Sequence, residues 1–321
     1  MDKKAKIYIA GHKGLAGSAI YRCLRDEGYN NLLTKTHKEL DLLNQKEVND
    51  FFEKEKPEYV FHAAAKVGGI RANYTFPADF IYQNTMIGFN VINAAYKYGI
   101  KKLINLGSSC IYPKHAPQPL KEEYLLTGPL EVTNEAYAIS KISVIKLCTY
   151  YNSQYGTNFL SVMPTNLYGP EDNYDPINSH VLPAIIRKFH EAKISGEVKI
   201  VLWGDGSSRR DFLFIDDLAK ALVMLMQNYN ASELRNSSGD FVNIGSGEDL
   251  SIEELAIKIR NIVYNGIKKE ACNIEWDTEK PNGTPQKLLD ITRISKLGFL
   301  PKIDLNEGIY LTYRDFVNRY S

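Results

Sequence analysis

The sequence predicts an α/β protein, a doubly wound parallel sheet followed by a smaller C-terminal domain. Three observations carry this: a glycine-rich turn between the first apolar strand and the first helix, short apolar runs alternating with helical patterns, and a change of texture after Pro164. The first strand is expected over Lys6 to Ala10 and the first helix from about Leu15 to Glu27, with Leu15, Ala19 and Leu24 on one face and Gly28 ending it. A strand over Asn31 to Thr36, a helix over Gln45 to Glu55 and a strand at Tyr59 to His62 repeat the alternation. Strands alternating with helices at this spacing imply right-handed crossovers and a parallel sheet.

A helix near Asn84 to Tyr98, a strand at Lys102 to Leu106, a helix over Tyr137 to Tyr155 and a strand at Phe159 to Met163 continue the pattern. Asn166 to Asn178 then reads as a loop rich in Asn, Pro and Tyr, and Val181 to Ala192 as a new helix. These features place a first domain at 1–165 and a second at 166–321. The second is expected to be discontinuous: Asp211 to Gln227 reads as helix and Phe241 to Gly245 as strand, and segments near 211–245 return to the first sheet.

Composition narrows the function classes. Among 321 residues, 39 Lys plus Arg against 38 Asp plus Glu give a net charge of +1, which argues against whole-surface attraction to nucleic acid or membrane. No run approaches the roughly 18 to 20 apolar residues of a membrane span, and the short apolar start before Gly11 is no signal-peptide core, so a cytoplasmic location is expected. Cys23, Cys110, Cys148 and Cys272 show neither CxxC pairing nor framework spacing, consistent with reduced thiols and no metal.

Gly11-His12-Lys13-Gly14-Leu15-Ala16-Gly17 opens the first helix immediately after the first strand. Such a turn lets backbone approach a pyrophosphate and aims free N–H groups at it, as in a Rossmann-type dinucleotide fold. At the second-strand end, where an acid would hold the ribose of NAD, the sequence has Lys35-Thr36-His37-Lys38, which with Lys13 favours NADP. Tyr137 and Lys141 stand four apart on a helix. An ammonium beside the phenol is expected to lower the tyrosine's pKa from about 10 and fit it for proton exchange with a carbonyl oxygen. Ser108, just past the fourth strand, lies where ligands dock in open parallel sheets.

Glycine turn, post-strand serine and YxxxK in this order resemble the extended branch of the short-chain dehydrogenase/reductase family over nearly the whole chain. The strings Ala63 to Ile70, Ala78 to Asn84, Gly107 to Pro113 and Met163 to Pro170 resemble, more narrowly, the GDP-L-fucose synthase family. That resemblance implies NADPH-dependent 3,5-epimerisation and 4-reduction of GDP-4-keto-6-deoxy-D-mannose by a homodimer. It implies Tyr137 as proton donor to O4, Ser108 and Lys141 as its support, and Cys110 with His180 exchanging protons at C3 and C5. It places NADP(H) along Gly11 to Gly17, His37, Lys38, Asp41, Leu42, Leu106, Gly107, Ser108, Ser109, Lys141, Pro164, Thr165, Asn166, Leu167 and His180. The GDP-sugar falls to Lys188, Trp203, Arg210, Asn282 and Lys287. Two positions depart from the family pattern: His37 and Lys188 stand where arginine is common.

Read without the resemblance, Cys110 and His180 are an ordinary small hydrophobe and an ordinary structural histidine. Inverting a carbon next to a ketone, however, needs a base on one face and an acid on the other. The thiol, near 8.5 alone, is expected to fall beside a cationic His180. A salt bridge to Asp216 or Asp217 is the structural alternative for Arg210. Other functions left open are a GDP-heptose epimerase/reductase, a sugar-nucleotide 4-epimerase or dehydratase, and a non-catalytic redox-sensing module that keeps the Rossmann fold for partner binding.

Overall fold

The structure, a computed structural model, describes residues 1–176, 178–236, 239–265, 272–280 and 282–320. In chain order its elements are β1 (Ile7–Ala10), α1 (Leu15–Asp26), β2 (Leu32–Leu33), α2 (Gln45–Glu55), β3 (Tyr59–His62), α3 (Ile70–Thr75), α4 (Pro77–Lys97), β4 (Lys102–Leu106), α5 (Glu135–Tyr155) and β5 (Phe159–Pro164). There follow β6 (Asn166–Tyr168), α6 (Val181–Ser195), β7 (Lys199–Trp203), β8 (Arg209–Phe214), α7 (Ile215–Asn228), β9 (Arg235–Asn236), β10 (Gly239–Ile244), β11 (Asp249–Ser251), α8 (Ile252–Val263), β12 (Asn273–Asp277), β13 (Gln286–Lys287), α9 (Thr292–Lys296) and α10 (Leu305–Tyr320).

The main sheet runs β2-β1-β3-β4-β5-β10-β9, parallel throughout except for the β9–β10 pair at its edge. Its strands are apolar at nearly every position because both faces are covered. Ile7, Ile9, Ile104 and Val162 pack with α1 and α7, whereas Tyr8, Ala10, Val60 and Leu103 pack with α2, α4 and α5. This is the doubly wound parallel architecture that the sequence predicts. Smaller sheets carry the rest: β8 pairs with β6, β11 and β13, and β7 pairs with β12. Their core joins Phe189, Phe212, Leu255, Ile259 and Phe316 beneath α6, α8 and α10. Among the described residues no helix is long and apolar enough to cross a membrane.

Several expected elements shift, each for a physical reason. The expected second strand shrinks to Leu32–Leu33, which pairs only with β1 at the sheet edge. The helix expected from Asn84 starts at Pro77, where proline's missing N–H suits the first turn and Asp79 adds a favourable charge. Asn166 to Tyr168 is not loop but strand β6, paired in parallel with Phe212 to Phe214. Correspondingly Asp211 lies in β8 and the helix begins at Ile215; the ladder with β6 and β11 overrides the helical reading of this stretch.

Candidate active site

The glycine turn is built by backbone. Gly11 has φ of 84° and sits so close to the Ala63–Ala64 backbone that an added Cβ would lie 2.8 Å from Ala64 Cα. An added Cβ on Gly17 would stand 2.1 Å from the Gly11 carbonyl oxygen, so α1 packs directly on its own turn. Gly14 caps α1 without a side chain and the first turn holds no acid, leaving the N–H groups of Leu15, Ala16 and Gly17 without a backbone acceptor among the described residues. Free N–H groups and the positive end of a helix form a site for phosphate, and the close glycine contacts leave room for it. The residues therefore fit a dinucleotide.

Around this turn, Lys13, His37 and Lys38 are exposed, with His37 Nδ1 3.6 Å from Asp41 Oδ1. Neither lysine makes an ion pair among the described residues, and Leu42 is half-buried against the core that α2, α4 and α5 share. His12 lies inward, its Nδ1 buried without a partner; burial, reinforced by Lys13, lowers its pKa.

At the C-terminal edge of β4, Gly107 leaves no space for a side chain, because an added Cβ would meet Met163 Sδ at 2.4 Å. Ser109–Ile111 forms a single 3-10 turn whose cap is Ser108: its hydroxyl accepts the Cys110 N–H at 3.3 Å. Tyr137 and Lys141 lie on the first turns of α5, with the ammonium 5.7 Å from the phenol ring centre and donating to the Leu106 carbonyl at 2.9 Å. Phe80 meets the Tyr137 ring edge-on at 6.2 Å. The expected depression of the Tyr137 pKa is not found. Burial raises it, with the Cys110 charge adding to the rise and a hydrogen bond with Ser108 opposing it. Burial also lowers Lys141 to about 8, so the ammonium is poorly placed to force phenolate formation.

Cys110 is half-buried, with its sulfur in a ring of donors. Asn134 Nδ2 stands 3.4 Å and Lys287 Nζ 3.5 Å from Sγ. Burial pushes the thiol up, but Lys287, hydrogen bonds with Ser108 and Lys287, and the Arg210 charge outweigh it and leave the pKa lowered. The other three cysteines are pushed up by burial, Cys23 to about 11 and Cys148 to about 12. The expected partner of the thiol, a cationic His180, is replaced by Lys287. His180 precedes α6 and keeps accessible surface, yet protein crowds it enough that burial lowers its pKa, and Lys287 lowers it further.

Of the residues expected to meet substrate, Arg210 and Lys287 face one another across adjacent strands, paired in register in β8 and β13. Arg210 does not bridge to Asp216 or Asp217. Asp216 pairs with Arg22 at 2.8 Å, and Asp217 accepts the Lys302 and Ile303 N–H groups, each at 2.8 Å. Lys188 donates to the Val201 carbonyl at 2.6 Å, Trp203 is exposed on β7, and Asn282 accepts the Asp205 N–H at 2.9 Å. Pro164 ends β5; Thr165 and Asn166 both donate to the Asp211 carbonyl, at 3.0 and 2.8 Å, and Leu167 packs against the main core.

Two neighbours of this cluster went unread in the sequence. Asn134 caps α5 one turn before Tyr137, a spacing that places both on the same side of the helix start. Gly69, whose N–H donates to the Asn178 carbonyl at 3.3 Å, brings α3 against the stretch leading to His180.

Comparison with known proteins agrees with this geometry. Residues 7–245 match the NAD dependent epimerase/dehydratase family. The chain belongs to that family. Within this epimerase family it is 54% identical to GDP-L-fucose synthase 1 of Arabidopsis thaliana, over 97% of this chain and 93% of that one. It is 50% identical to GDP-L-fucose synthase of Escherichia coli (strain K12), over 98% of this chain and 97% of that one. Among solved structures it is similar to the GDP-mannoheptose C4 reductase from Campylobacter jejuni with NADP bound, at a TM-score of 0.91 and 41% identity, covering 99% of each chain.

Proposed function

We propose that this epimerase-family chain converts GDP-4-keto-6-deoxy-D-mannose to GDP-L-fucose, inverting C3 and C5 and then reducing C4 with NADPH. The observation that carries the reading is the shared neighbourhood of Tyr137 and a thiol of lowered pKa, both linked to Ser108. In the first stage the Cys110 thiolate takes a proton from the carbon beside the ketone, whose electrons pass to the carbonyl oxygen. His180 delivers a proton to the opposite face, and the electron pair returns to carbon in the inverted configuration. Protonated His180 is the form this requires, and the diphosphate of the substrate opposes the lowering effect of Lys287.

In the second stage the turn Gly11 to Gly17 would hold NADPH, which would supply the hydride. Tyr137 donates its proton to O4, and its raised pKa keeps it protonated until then. Ser108 orients the same oxygen, and the Lys141 ammonium holds its place through the Leu106 carbonyl. Residues 1–165, with later segments between 211 and 245, hold NADP(H) in this reading. The remainder of 166–321 receives the GDP-sugar, with Arg210 on its diphosphate, Trp203 stacking on its base or sugar ring, and Lys188 and Asn282 beside it. Its location is cytoplasmic in this reading. A homodimer suits α4, where Tyr82, Phe89 and Tyr96 recur on one face and remain exposed; light scattering at twice the chain mass tests it.

The decisive experiment incubates the protein with GDP-4-keto-6-deoxy-D-mannose and NADPH and identifies the product by NMR. GDP-L-fucose is expected. GDP-D-rhamnose alone would show a reductase without epimerisation. The likeness to a GDP-mannoheptose C4 reductase makes a GDP-heptose the second substrate to assay.

A further inference from the structure

Lys287 and Arg210 come from β13 and β8 at matching register, two cations side by side on one sheet. Like charges so placed repel unless an anion lies between or beside them. Neither makes an ion pair with a carboxylate among the described residues: Arg210 donates to its neighbour's backbone carbonyl at 2.7 Å, and Lys287 donates to Cys110 Sγ. The neighbouring Arg209, by contrast, is tied to Asp249 at 2.8 Å on the other face of the strand. The sulfur therefore occupies the position of the missing anion.

We propose that Lys287 is a positioning residue for proton exchange, holding Cys110 as its thiolate rather than serving chiefly as a contact for the substrate's phosphates. This rests on the proposed function for its catalytic meaning, though the ion pair itself does not. Asn134 supplies a further donor to the sulfur beside Lys287 and Ser108, so the thiolate is hydrogen-bonded before any substrate arrives. The charged and titratable groups that act on Cys110 are Lys287 on β13, Arg210 on β8 and Tyr137 on α5, while His180 ahead of α6 interacts with Lys287. Glu131 and Lys114 also line the small cavity it shares with Lys287, and they pair with each other at 3.0 Å, which largely cancels their effect. Lysine and arginine thus outnumber uncompensated acids at the sulfur. The lysine also depresses His180, so its removal shifts both partners of the pair in the same direction.

The test measures iodoacetamide alkylation of Cys110 against pH in the NADPH-saturated, full-length protein without sugar nucleotide, quantified by peptide mass spectrometry. The other three cysteines have raised pKa values and give a low background. Lys287→Met and Lys287→Gln should each move the alkylation midpoint upward, and each unit of movement lowers the rate at pH 7 about tenfold. Lys287→Arg should restore it. With substrate in D₂O, the neutral variants should lose kcat for deuterium exchange with KM little changed, and the pH optimum should move alkaline. An unchanged alkylation midpoint in both neutral variants, or a defect confined to KM, would overturn the proposal. A shifted midpoint in a protein whose wild type exchanges no deuterium would leave the ion pair standing and sink the proposed function instead.

Discussion

The two halves of the proposed site are built in opposite ways. The dinucleotide end is one continuous stretch, Gly11 to Gly17, in which backbone touches backbone and an added methyl at Gly11 or Gly17 has nowhere to go. The sugar end gathers single side chains from distant segments; Lys287 reaches Cys110 across 177 positions of sequence. The first region should therefore be sensitive to side-chain atoms added at Gly11 or Gly17 and only weakly responsive to charge. The second should tolerate changes of bulk and fail when one functional group is removed.

Tyr137→Phe gives the sharpest break between them. It removes one hydroxyl at the sugar end, and reduction should fall by about 10² to 10⁴ while the NADPH dissociation constant stays nearly unchanged. Stopped-flow oxidation of NADPH and fluorescence titration measure the two; a rate above a tenth of wild type would remove Tyr137 from its role. Gly17→Ala is the mirror image. Its Cβ would stand 2.1 Å from the Gly11 oxygen, and overpacking of about 1 to 3 kcal/mol should weaken NADPH binding and lower Tm with Cys110 alkylation unaffected. Wild-type cofactor affinity in this variant would show that the turn relaxes freely.

A smaller effect concerns stability at the sugar end. Asp172, buried in the stretch leading to His180, has its carboxyl raised by burial to about 7, and its Oδ2 lacks a partner. In the unfolded chain a carboxyl titrates near 4, so the folded state holds the proton more tightly. The stabilisation is complete below about pH 4 and disappears as pH rises through about 7. Asp172→Asn keeps the oxygen that accepts the Asn173 N–H. It should flatten the fall of Tm over that window; an unaltered Tm profile would show the carboxylate to be solvated. The smallest effect lies back at the dinucleotide end: His37→Arg, at an exposed position, should tighten NADPH by no more than about tenfold, since exposed pairs contribute about 0 to 1 kcal/mol.

The same contrast explains what was legible in the sequence. The main sheet and the glycine turn depend on local periodicity, and β1, α2, β3 and β4 fall where the apolar runs place them. Tyr137 and Lys141 were readable because four residues make one helical turn. β6 and β8 were not, since β6 exists through its pairing with Phe212 to Phe214 and the start of β8 through its pairing with β11 and β13, and neither stretch carries a distinctive pattern alone. Nor was the setting of Cys110. Its partners Asn134 and Lys287 are polar residues without periodicity, and nothing short of the β8–β13 register brings the lysine to the sulfur. The placement of Tyr137 beside Lys141 was readable but not its state, because the direction of its pKa depends on how deeply its surroundings bury the ring.

The measurement closest to the central claim, that two separable chemistries share this site, is deuterium incorporation by Cys110→Ser acting on GDP-4-keto-6-deoxy-D-mannose with NADPH in D₂O. A serine hydroxyl is far too weak a base to replace a thiolate held by Lys287 and Asn134. The account predicts that deuterium disappears from C3 and C5 while NADPH is still oxidised, and that the product keeps the D-manno configuration. Undiminished deuterium at both carbons, with GDP-L-fucose as product, would contradict it and return Cys110 to the ranks of packing residues.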